Sequence, residues 1–237
     1  MKVAYLTDPG KHRPSNEDSL YVDEDIGLFI VADGMGGHNA GEVASKIAVE
    51  VTSEFVGAGL QAGKEVEEVF REALANANRS IFEKASVNPA WSDMGTTLLM
   101  ALTTDHKVVI GHIGDSRAYL IGKGKIEQLT EDHTFVFEWL KQGLITREQA
   151  RSHQARHGLT EVLGVTDEVE VDIAVWPWEK NACLFLCSDG LTDMIEDEEI
   201  LAIVESASDP QQACNKLVTA ANREGGEDNI TVILVCN

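Results

Sequence analysis

Short apolar runs recur along the chain, and each is stopped by Gly, Asp or Asn. Runs of about four to eight residues rich in Val, Ile and Leu are typical of β-strands and are too short for most helices. The predicted strands are 3–7, 28–32, 96–103, 107–113, 117–121, 126–129, 182–188 and 230–235. Only short turns separate several neighbours, as at 104–106 and 122–124, so we expect mainly antiparallel sheets.

Other stretches carry apolar residues at helical spacing. Positions 43, 47, 51 and 55 mark one amphipathic helix, and a second follows over 66–81. A third begins at Asp209, a good N-cap followed by Pro210 at the first helical position, and ends before Gly225. Strands flanked by helix pairs predict a layered α+β fold, in which helices cover a sandwich of two sheets.

We expect one domain over residues 1–237, because no repeat or linker-like segment interrupts the pattern. A polar segment at about 140–179 differs in composition, and it is interpreted as an inserted surface lobe. It ends with Trp176 and Trp178, which are interpreted as packing residues, because aromatic side chains are mostly retained through burial.

The net charge limits the classes of partner that the chain can bind. Asp and Glu number 40 against 19 Lys and Arg, a formal net charge of −21. Nucleic-acid and anionic-membrane binders need basic patches, so both classes are excluded. No apolar run approaches the roughly 20 residues of a membrane span, and the N-terminus is no signal peptide, so a cytoplasmic protein is expected.

The chain has four cysteines, Cys183, Cys187, Cys214 and Cys236, which are interpreted as buried free thiols.

Four aspartates stand beside glycine or asparagine next to apolar strands. They are Asp33, Asp115, Asp189 and Asp228. Each alone is explained by a turn, because Asp and Gly favour turn conformations. Several carboxylates converging at the edge of a core would repel one another unless cations neutralised them. Their joint occurrence therefore indicates a metal site.

Oxygen ligands without His or Cys select Mg²⁺ or Mn²⁺. The glycine after Asp33 lets the backbone approach closely, so the Gly34 carbonyl is a further candidate ligand. Two such ions about 3.5 to 4 Å apart would acidify a bridging water for attack on phosphorus. Arg13, in the polar stretch after the first strand, would bind the phosphate; taken alone it is explained as a solvated surface residue.

These residues lie in six sequence motifs that occur in the same order in a known family. The motifs resemble those of the metal-dependent protein phosphatases of type 2C in their compact bacterial form, and the resemblance extends over nearly the whole chain. The motifs are RPSNED at 13–18, VADGMGGH at 31–38, MGTT at 94–97, GDSRAYL at 114–120, LCSDGLTD at 186–193 and GGEDNITVI at 225–233. The resemblance implies a four-layer α-β-β-α sandwich of two antiparallel sheets. It also implies metal-dependent hydrolysis of phosphoserine and phosphothreonine on proteins by a water bridged between two metals, reversing Ser/Thr kinase signalling.

The same resemblance implies roles for individual residues. Asp33 would bridge two ions, Mn²⁺ or Mg²⁺, with Asp189 and Asp228 completing one site and the Gly34 carbonyl serving the other. Asp33, Asp189 and Asp228 are thus the expected catalytic carboxylates. Asp115, together with Asp189, would hold a third and weaker ion.

Other roles concern the surroundings of those ions. Glu17 and Asp18 would act mostly through bound waters, and Arg13 would bind the substrate phosphate. The lobe at 140–179 stands where the family has a mobile flap beside the cleft. The expected partners are phosphorylated proteins that are substrates of a Ser/Thr kinase, and the chain is expected to be a monomer.

The source of the leaving-group proton is open. Eukaryotic relatives often have a His directly after the Asp-Gly pair, whereas this chain has Met35, which cannot donate a proton. His38 has a suitable intrinsic pKa near 6.5 and is the candidate general acid, although it could instead cap or pack near the next helix. A metal-bound water is the alternative.

Two other functions compete. A catalytically silent module that only binds phosphoproteins would be expected to lack metal ligands, and none is missing here. A phosphatase dedicated to a partner-switching circuit has the same site but a different substrate. A cysteine-based tyrosine phosphatase is excluded, because Cys187 is followed at the sixth position by Asp193 rather than Arg.

Overall fold

The computed structural model describes residues 1–36 and 40–237, and its strands, numbered in chain order, form two antiparallel sheets. Sheet A has the order β1 (Lys2–Asp8), β11 (Ile230–Cys236), β10 (Cys183–Cys187), β7 (Arg117–Gly122) and β8 (Lys125–Gln128). Sheet B has the order β2 (Asp18–Asp23), β3 (Leu28–Met35), β5 (Leu98–Thr103), β6 (Lys107–Ile113) and β9 (Asp172–Pro177), and the short β4 (Gly95–Thr96) pairs with the end of β3.

Long helices cover the outer face of each sheet. Helices α1 (Ala40–Gln61) and α2 (Val66–Val87) pack on sheet B, while α6 (Asp197–Ser206) and α7 (Pro210–Glu224) pack on sheet A. The shorter elements are α3 (Phe135–Lys141), α4 (Arg147–Ser152), α5 (Asp189–Thr192) and a 3₁₀ turn, Pro89–Trp91. The predicted four-layer α-β-β-α sandwich is confirmed. No helix in the described ranges is long and apolar enough to cross a bilayer.

The central strands are buried on both faces. In β3, Phe29 and Val31 face the other sheet, while Leu28 and Ile30 face the helices. Phe185 of β10 likewise packs with Leu217 of α7. Covering both faces explains why the sequence shows continuous apolar runs rather than the alternation of a half-exposed sheet.

Several elements escaped the sequence prediction. Strands β2 and β9 lie at the two edges of sheet B and are only partly buried, so their sequences, DSLYVD and DIAVWP, carry a weak apolar signal. Helix α6, the shorter helices α3, α4 and α5 and the 3₁₀ turn were also not predicted. Strand β9 falls within the segment predicted as a surface lobe, so the structure places the last part of 140–179 in the sheet. Trp178 packs in the layer between the sheets and is 5% exposed.

The interpretation of all four cysteines as free thiols was wrong for two of them. Cys183 and Cys236 form a disulfide, whereas Cys187 and Cys214 are free and buried. The antiparallel register of β10 and β11 places Cys183 directly opposite Cys236. The two residues are 53 positions apart in the chain, so only the strand pairing brings them together.

Candidate metal centre

The predicted site residues converge at one edge of the sandwich. They line a cavity of 590 Å³, here called the carboxylate cavity, whose polar lining includes Arg13, Glu17, Asp33, Gly34, Asp115, Asp189 and Asp228. The residues come from the segment between β1 and β2, the end of β3, the β6–β7 turn, the start of α5 and the segment before β11. Antiparallel pairing brings these distant segments to a common edge, as the sequence predicted.

Asp33 is held through its backbone by the threonines of the MGTT motif. The Thr97 amide donates to the Asp33 carbonyl at 2.9 Å, and the Asp33 amide donates to Thr97 Oγ1 at 3.0 Å. Thr96 Oγ1 adds a third bond to the Asp33 carbonyl at 2.8 Å. Burial, together with the neighbouring Asp18 and Asp189, raises the pKa of Asp33 well above its usual value. The fold thus fixes a carboxyl group where its charged form is unfavourable without a cation.

Gly34 is required by the close approach of two other segments. A Cβ at this position would lie 2.1 Å from the Gly41 carbonyl oxygen and 2.6 Å from that of Glu17. The Gly34 amide also donates to the Glu17 carbonyl at 3.2 Å. A larger residue would push the start of α1 away from β3, so glycine keeps this backbone at the cavity wall.

Asp115 follows Gly114, whose φ of +101° turns the chain between β6 and β7. Ser116 Oγ lies 2.9 Å from Thr97 Oγ1, which ties this turn to the residues that hold Asp33. Burial, and then the charge of Asp189, raises the pKa of Asp115 well above its usual value. Asp115 is therefore a second carboxyl group that needs a compensating positive charge.

Asp189 begins α5, and only Ser188 separates it from the end of β10. Its Oδ1 is buried and has no hydrogen-bond partner among the described residues. Burial works to raise the pKa of Asp189, yet contacts with His157 and Asp33 outweigh it and hold that pKa below its usual value. The carboxylate is thus charged, with one oxygen free to accept a ligand.

Asp228 is paired with the predicted phosphate-binding arginine. Arg13 Nη2 lies 2.6 Å from Asp228 Oδ2, and the arginine side chain is 52% exposed. Burial and the charge of Asp189 raise the pKa of Asp228 even so. The pair places a cationic fork at the mouth of the carboxylate cavity.

Asn229, to which the sequence assigned no role, holds the segment that carries Arg13. Its Nδ2 donates to the carbonyls of Pro9 at 2.9 Å and Ser15 at 3.0 Å, and its Oδ1 accepts from the Glu17 amide at 2.7 Å. Its position directly after Asp228 was the available signal.

Glu17 and Asp18 are the remaining predicted carboxylates; Glu17 lines the carboxylate cavity, whereas Asp18 is buried. Asp18 stands opposite Asp33 in the β2–β3 pair, and its Oδ2 accepts from Ser188 Oγ at 2.8 Å, while Oδ1 is buried without a partner among the described residues. Burial raises the pKa of Asp18 to about 7. Burial likewise raises the pKa of Glu17.

Two further residues join the site. His157, from the segment beyond α4, lies with Nδ1 3.3 Å from Asp193 Oδ2 and 3.8 Å from Asp189 Oδ2. Contact with Asp189 raises the pKa of His157. Asp193 follows Asp189 by four residues, about one helical turn, so the spacing could have predicted that the two carboxylates lie on the same side of a helix. Nothing in the sequence indicated that His157 lies near Asp189. His38, the candidate general acid, lies outside the described residues.

The donor set fits hard divalent cations. The cavity is lined by carboxyl groups, most of which have raised pKa values. One buried oxygen of Asp18 and one of Asp189 have no hydrogen-bond partner in the described part of the chain. Oxygen-rich sets of this kind bind Mg²⁺ or Mn²⁺ in preference to softer metals. Bound cations would also relieve the mutual repulsion of the carboxylates.

Comparison with known proteins agrees with this geometry. The model of the Protein phosphatase 2C family matches residues 12–224. The chain belongs to this family, the metal-dependent protein-serine/threonine phosphatases.

Individual relatives share nearly its whole length. The serine/threonine phosphatase stp of Listeria monocytogenes is 41% identical over 99% of this chain and 95% of its own. The crystal structure of the Mycobacterium tuberculosis serine/threonine phosphatase PstP/Ppp has a TM-score of 0.89 and 35% identity, with 99% and 97% coverage. A structure of the PstP catalytic domain with two manganese ions has a TM-score of 0.85 and 33% identity, with the same coverage.

Proposed function

We propose that this chain hydrolyses phosphoserine and phosphothreonine in proteins at the carboxylate cavity, with the residues assigned below. The observation that carries the proposal is the convergence of Asp33, Asp115, Asp189 and Asp228 on one cavity with Arg13 at its mouth. A cluster of buried carboxylates is unfavourable unless cations occupy it, and a guanidinium is the side chain best suited to a phosphate. Family membership supports the same reaction.

Two cations, Mn²⁺ or Mg²⁺, would be held by Asp33, the Gly34 carbonyl, Asp189 and Asp228, and a third by Asp115 with Asp189. When bound, such ions lower the pKa of a shared water and neutralise charge on the phosphoryl group. The manganese-containing PstP structure supports manganese as one suitable ion. Glu17 and Asp18 would orient waters around this centre.

Arg13 would bind the substrate phosphate. In the structure Nη2 donates to Asp228, while about half of the side chain is exposed toward solvent. A guanidinium has five N–H donors, so a phosphate can bind the outward edge while Asp228 keeps the fork oriented. Asp228 thereby positions Arg13.

The leaving serine or threonine alkoxide needs a proton. Met35 follows the Asp-Gly pair, is 39% exposed and has no acidic proton. His38 is therefore the proposed general acid, because its intrinsic pKa near 6.5 suits proton donation at neutral pH.

The substrates would be proteins phosphorylated by a Ser/Thr kinase. The phosphatase would act on them as a monomer. The segment at about 140–179 contributes His157 and Leu159 to the cavity wall, which supports a role for it in contacting a protein substrate. A phosphatase of a partner-switching circuit would have the same chemistry and a narrower set of substrates.

The test is phosphate release from a phosphothreonine peptide by the full chain, with and without Mn²⁺, beside a phosphotyrosine peptide of the same sequence. We expect release that depends on Mn²⁺ and is much faster for phosphothreonine. Binding of Mn²⁺ in a calorimetric titration without any phosphate release would favour the silent binding module instead. Equal rates with and without metal would contradict the proposal.

A further inference from the structure

A second group of metal-binding side chains lies beside the carboxylate cavity, and the proposed phosphatase mechanism does not use it. His112 of β6, His133 after β8 and Asp172 of β9, here called the histidine cluster, each offer a ligand atom within 4.8 Å of the others. His133 Nε2 lies 3.2 Å from Asp172 Oδ2, and the ring centroids of His112 and His133 are 4.6 Å apart. These contacts gather two imidazoles and one carboxylate at a single point.

The fold brings this set together through strand pairing. His112 and Asp172 are direct partners in the antiparallel register of β6 and β9, so their side chains lie on the same face of sheet B. His133 is fixed by its own backbone, because its amide donates to the Gly114 carbonyl at 2.9 Å and its carbonyl accepts from Thr160 at 2.8 Å. The three positions are therefore built into the sheet and its connections.

His112 is the residue that needs an explanation. It is 1% exposed, and neither of its ring nitrogens has a hydrogen-bond partner among residues 1–36 and 40–237. Buried polar side chains are normally hydrogen-bonded, and an orphaned imidazole loses its interactions with water without compensation. His133, in contrast, is satisfied by Asp172 and by the Gly114 amide, which donates to His133 Nδ1 at 3.2 Å.

We propose that the histidine cluster is a binding site for a transition-metal ion of the zinc class, separate from the carboxylate cavity. Two imidazoles and a carboxylate are a common ligand set for Zn²⁺, whereas Mg²⁺ prefers oxygen ligands. A metal ion at this point would use one of the two unpartnered ring nitrogens of His112. The fourth position of a tetrahedral ion would be left for water.

The spacing suits such an ion after small movements. Zinc bonds of about 2.0 to 2.2 Å place the donors of a tetrahedral site about 3.3 to 3.6 Å apart. The His133–Asp172 distance of 3.2 Å is already close to that value. The side chain of Asp172 is 67% exposed at the sheet edge, which leaves it free to close the longer distances.

Metal binding through His133 Nε2 would displace one hydrogen bond. A neutral imidazole that binds metal at Nε2 carries its proton on Nδ1, which then no longer accepts from the Gly114 amide. Leaving the Gly114 amide without this acceptor lowers the metal affinity by roughly 10- to 100-fold. Because Gly114 precedes Asp115, occupation of the histidine cluster would also act on the turn that carries a cavity carboxylate.

The ion would join both ends of one segment to the sheet. His133 lies two residues before α3, and Asp172 is the first residue of β9. The chain between them contains α3, α4 and the cavity residue His157. Zinc bound here would restrain the ends of the segment that borders the carboxylate cavity.

The test is a calorimetric titration of the full chain with Zn²⁺ in excess Mg²⁺, which fills oxygen sites without competing for imidazoles. We expect one Zn²⁺ per chain on the wild-type protein. Asp172→Asn should weaken that binding at least tenfold, and His112→Leu should abolish it. Asp172 is largely exposed, so its variant also guards against loss of the fold in His112→Leu.

His157→Gln is the matched control, because His157, Asp189 and Asp193 form the other group in the described residues able to offer an imidazole to zinc. Zinc binding that survives His157→Gln and is lost in His112→Leu supports the proposal. Unchanged zinc binding in Asp172→Asn and His112→Leu, or its complete loss in His157→Gln, would overturn it. Absence of zinc binding to the wild-type protein would show that His112 is a buried neutral histidine without a ligand.

Discussion

The carboxylate cavity and the histidine cluster are neighbours that respond to burial in opposite ways. They meet at Gly114, which precedes Asp115 and donates to His133 Nδ1. Burial raises the pKa of Asp18 to about 7 and lowers that of His112 to about 4. Both shifts favour the uncharged form. A buried carboxyl group becomes charged only when a cation compensates its charge. A buried imidazole stays neutral, and its unprotonated nitrogen can bind a softer metal ion.

The largest effect should come from a carboxylate of the cavity. Asp189→Ala removes a ligand with a free buried oxygen, and the loss of several kcal/mol of charge stabilisation should lower kcat by about a thousandfold or more. Phosphate release in saturating Mn²⁺ measures it. Asp105→Ala, in an exposed turn, is the control and should retain the wild-type rate. Activity of Asp189→Ala within tenfold of wild type would remove Asp189 from the metal centre.

Arg13→Ala tests whether the mouth of the cavity binds phosphate. Loss of a charge-assisted hydrogen bond worth about 1.5 to 3 kcal/mol should lower kcat/KM by roughly 10- to 100-fold, with Mn²⁺ binding retained. Steady-state kinetics with a phosphothreonine peptide, beside a Mn²⁺ titration, measures both. Arg223→Ala, on the exposed surface of α7, is the control. A wild-type kcat/KM in Arg13→Ala would show that Arg13 does not bind the phosphate.

The opposite pKa shifts predict opposite slopes of stability with pH in metal-free protein. Asp18 keeps its proton in the folded state up to about pH 7, so its contribution to stability is present at low pH and is lost as pH rises from about 4 to 7. His112 resists protonation, so its contribution is present above about pH 6.5 and is lost as pH falls toward 4. Each slope approaches about 1.4 kcal/mol per pH unit.

Variants separate the two slopes. Urea unfolding in chelator should show that Asp18→Asn loses the decline with rising pH, and that His112→Leu loses the decline with falling pH. Excess Mg²⁺ should flatten the carboxylate slope, because bound cations favour the charged form. Identical pH profiles for wild type and Asp18→Asn would show that Asp18 is charged in the metal-free fold.

The smallest effect concerns the net charge of −21. An acidic surface attracts basic segments, so phosphothreonine peptides flanked by Lys or Arg should have a kcat/KM about threefold higher than peptides flanked by Asp or Glu at low salt. The difference should shrink at high ionic strength. Faster hydrolysis of the acidic peptides at low salt would indicate that local arginines, rather than the overall charge, select the substrate.

Many of the helices and strands could be predicted from the sequence, because each element has its own local pattern of apolar residues. Apolar runs marked the strands that are buried on both faces, and helical spacing marked α1, α2 and α7. The edge strands β2 and β9 were missed, because half-buried residues give little periodic contrast. The aspartates beside strand ends were recognised because apolar strand, Asp and Gly occur together within a few residues.

The sequence by itself determined the strands that are buried on both faces, the helices α1, α2 and α7, and the set of acidic residues at strand ends. The tertiary structure alone decided which distant residues meet: Cys183 with Cys236, Asn229 with the segment carrying Arg13, and His112 with His133 and Asp172. Local spacing reports which face of an element a side chain occupies. Contacts between elements depend on strand order and register, which are set by packing over the whole chain.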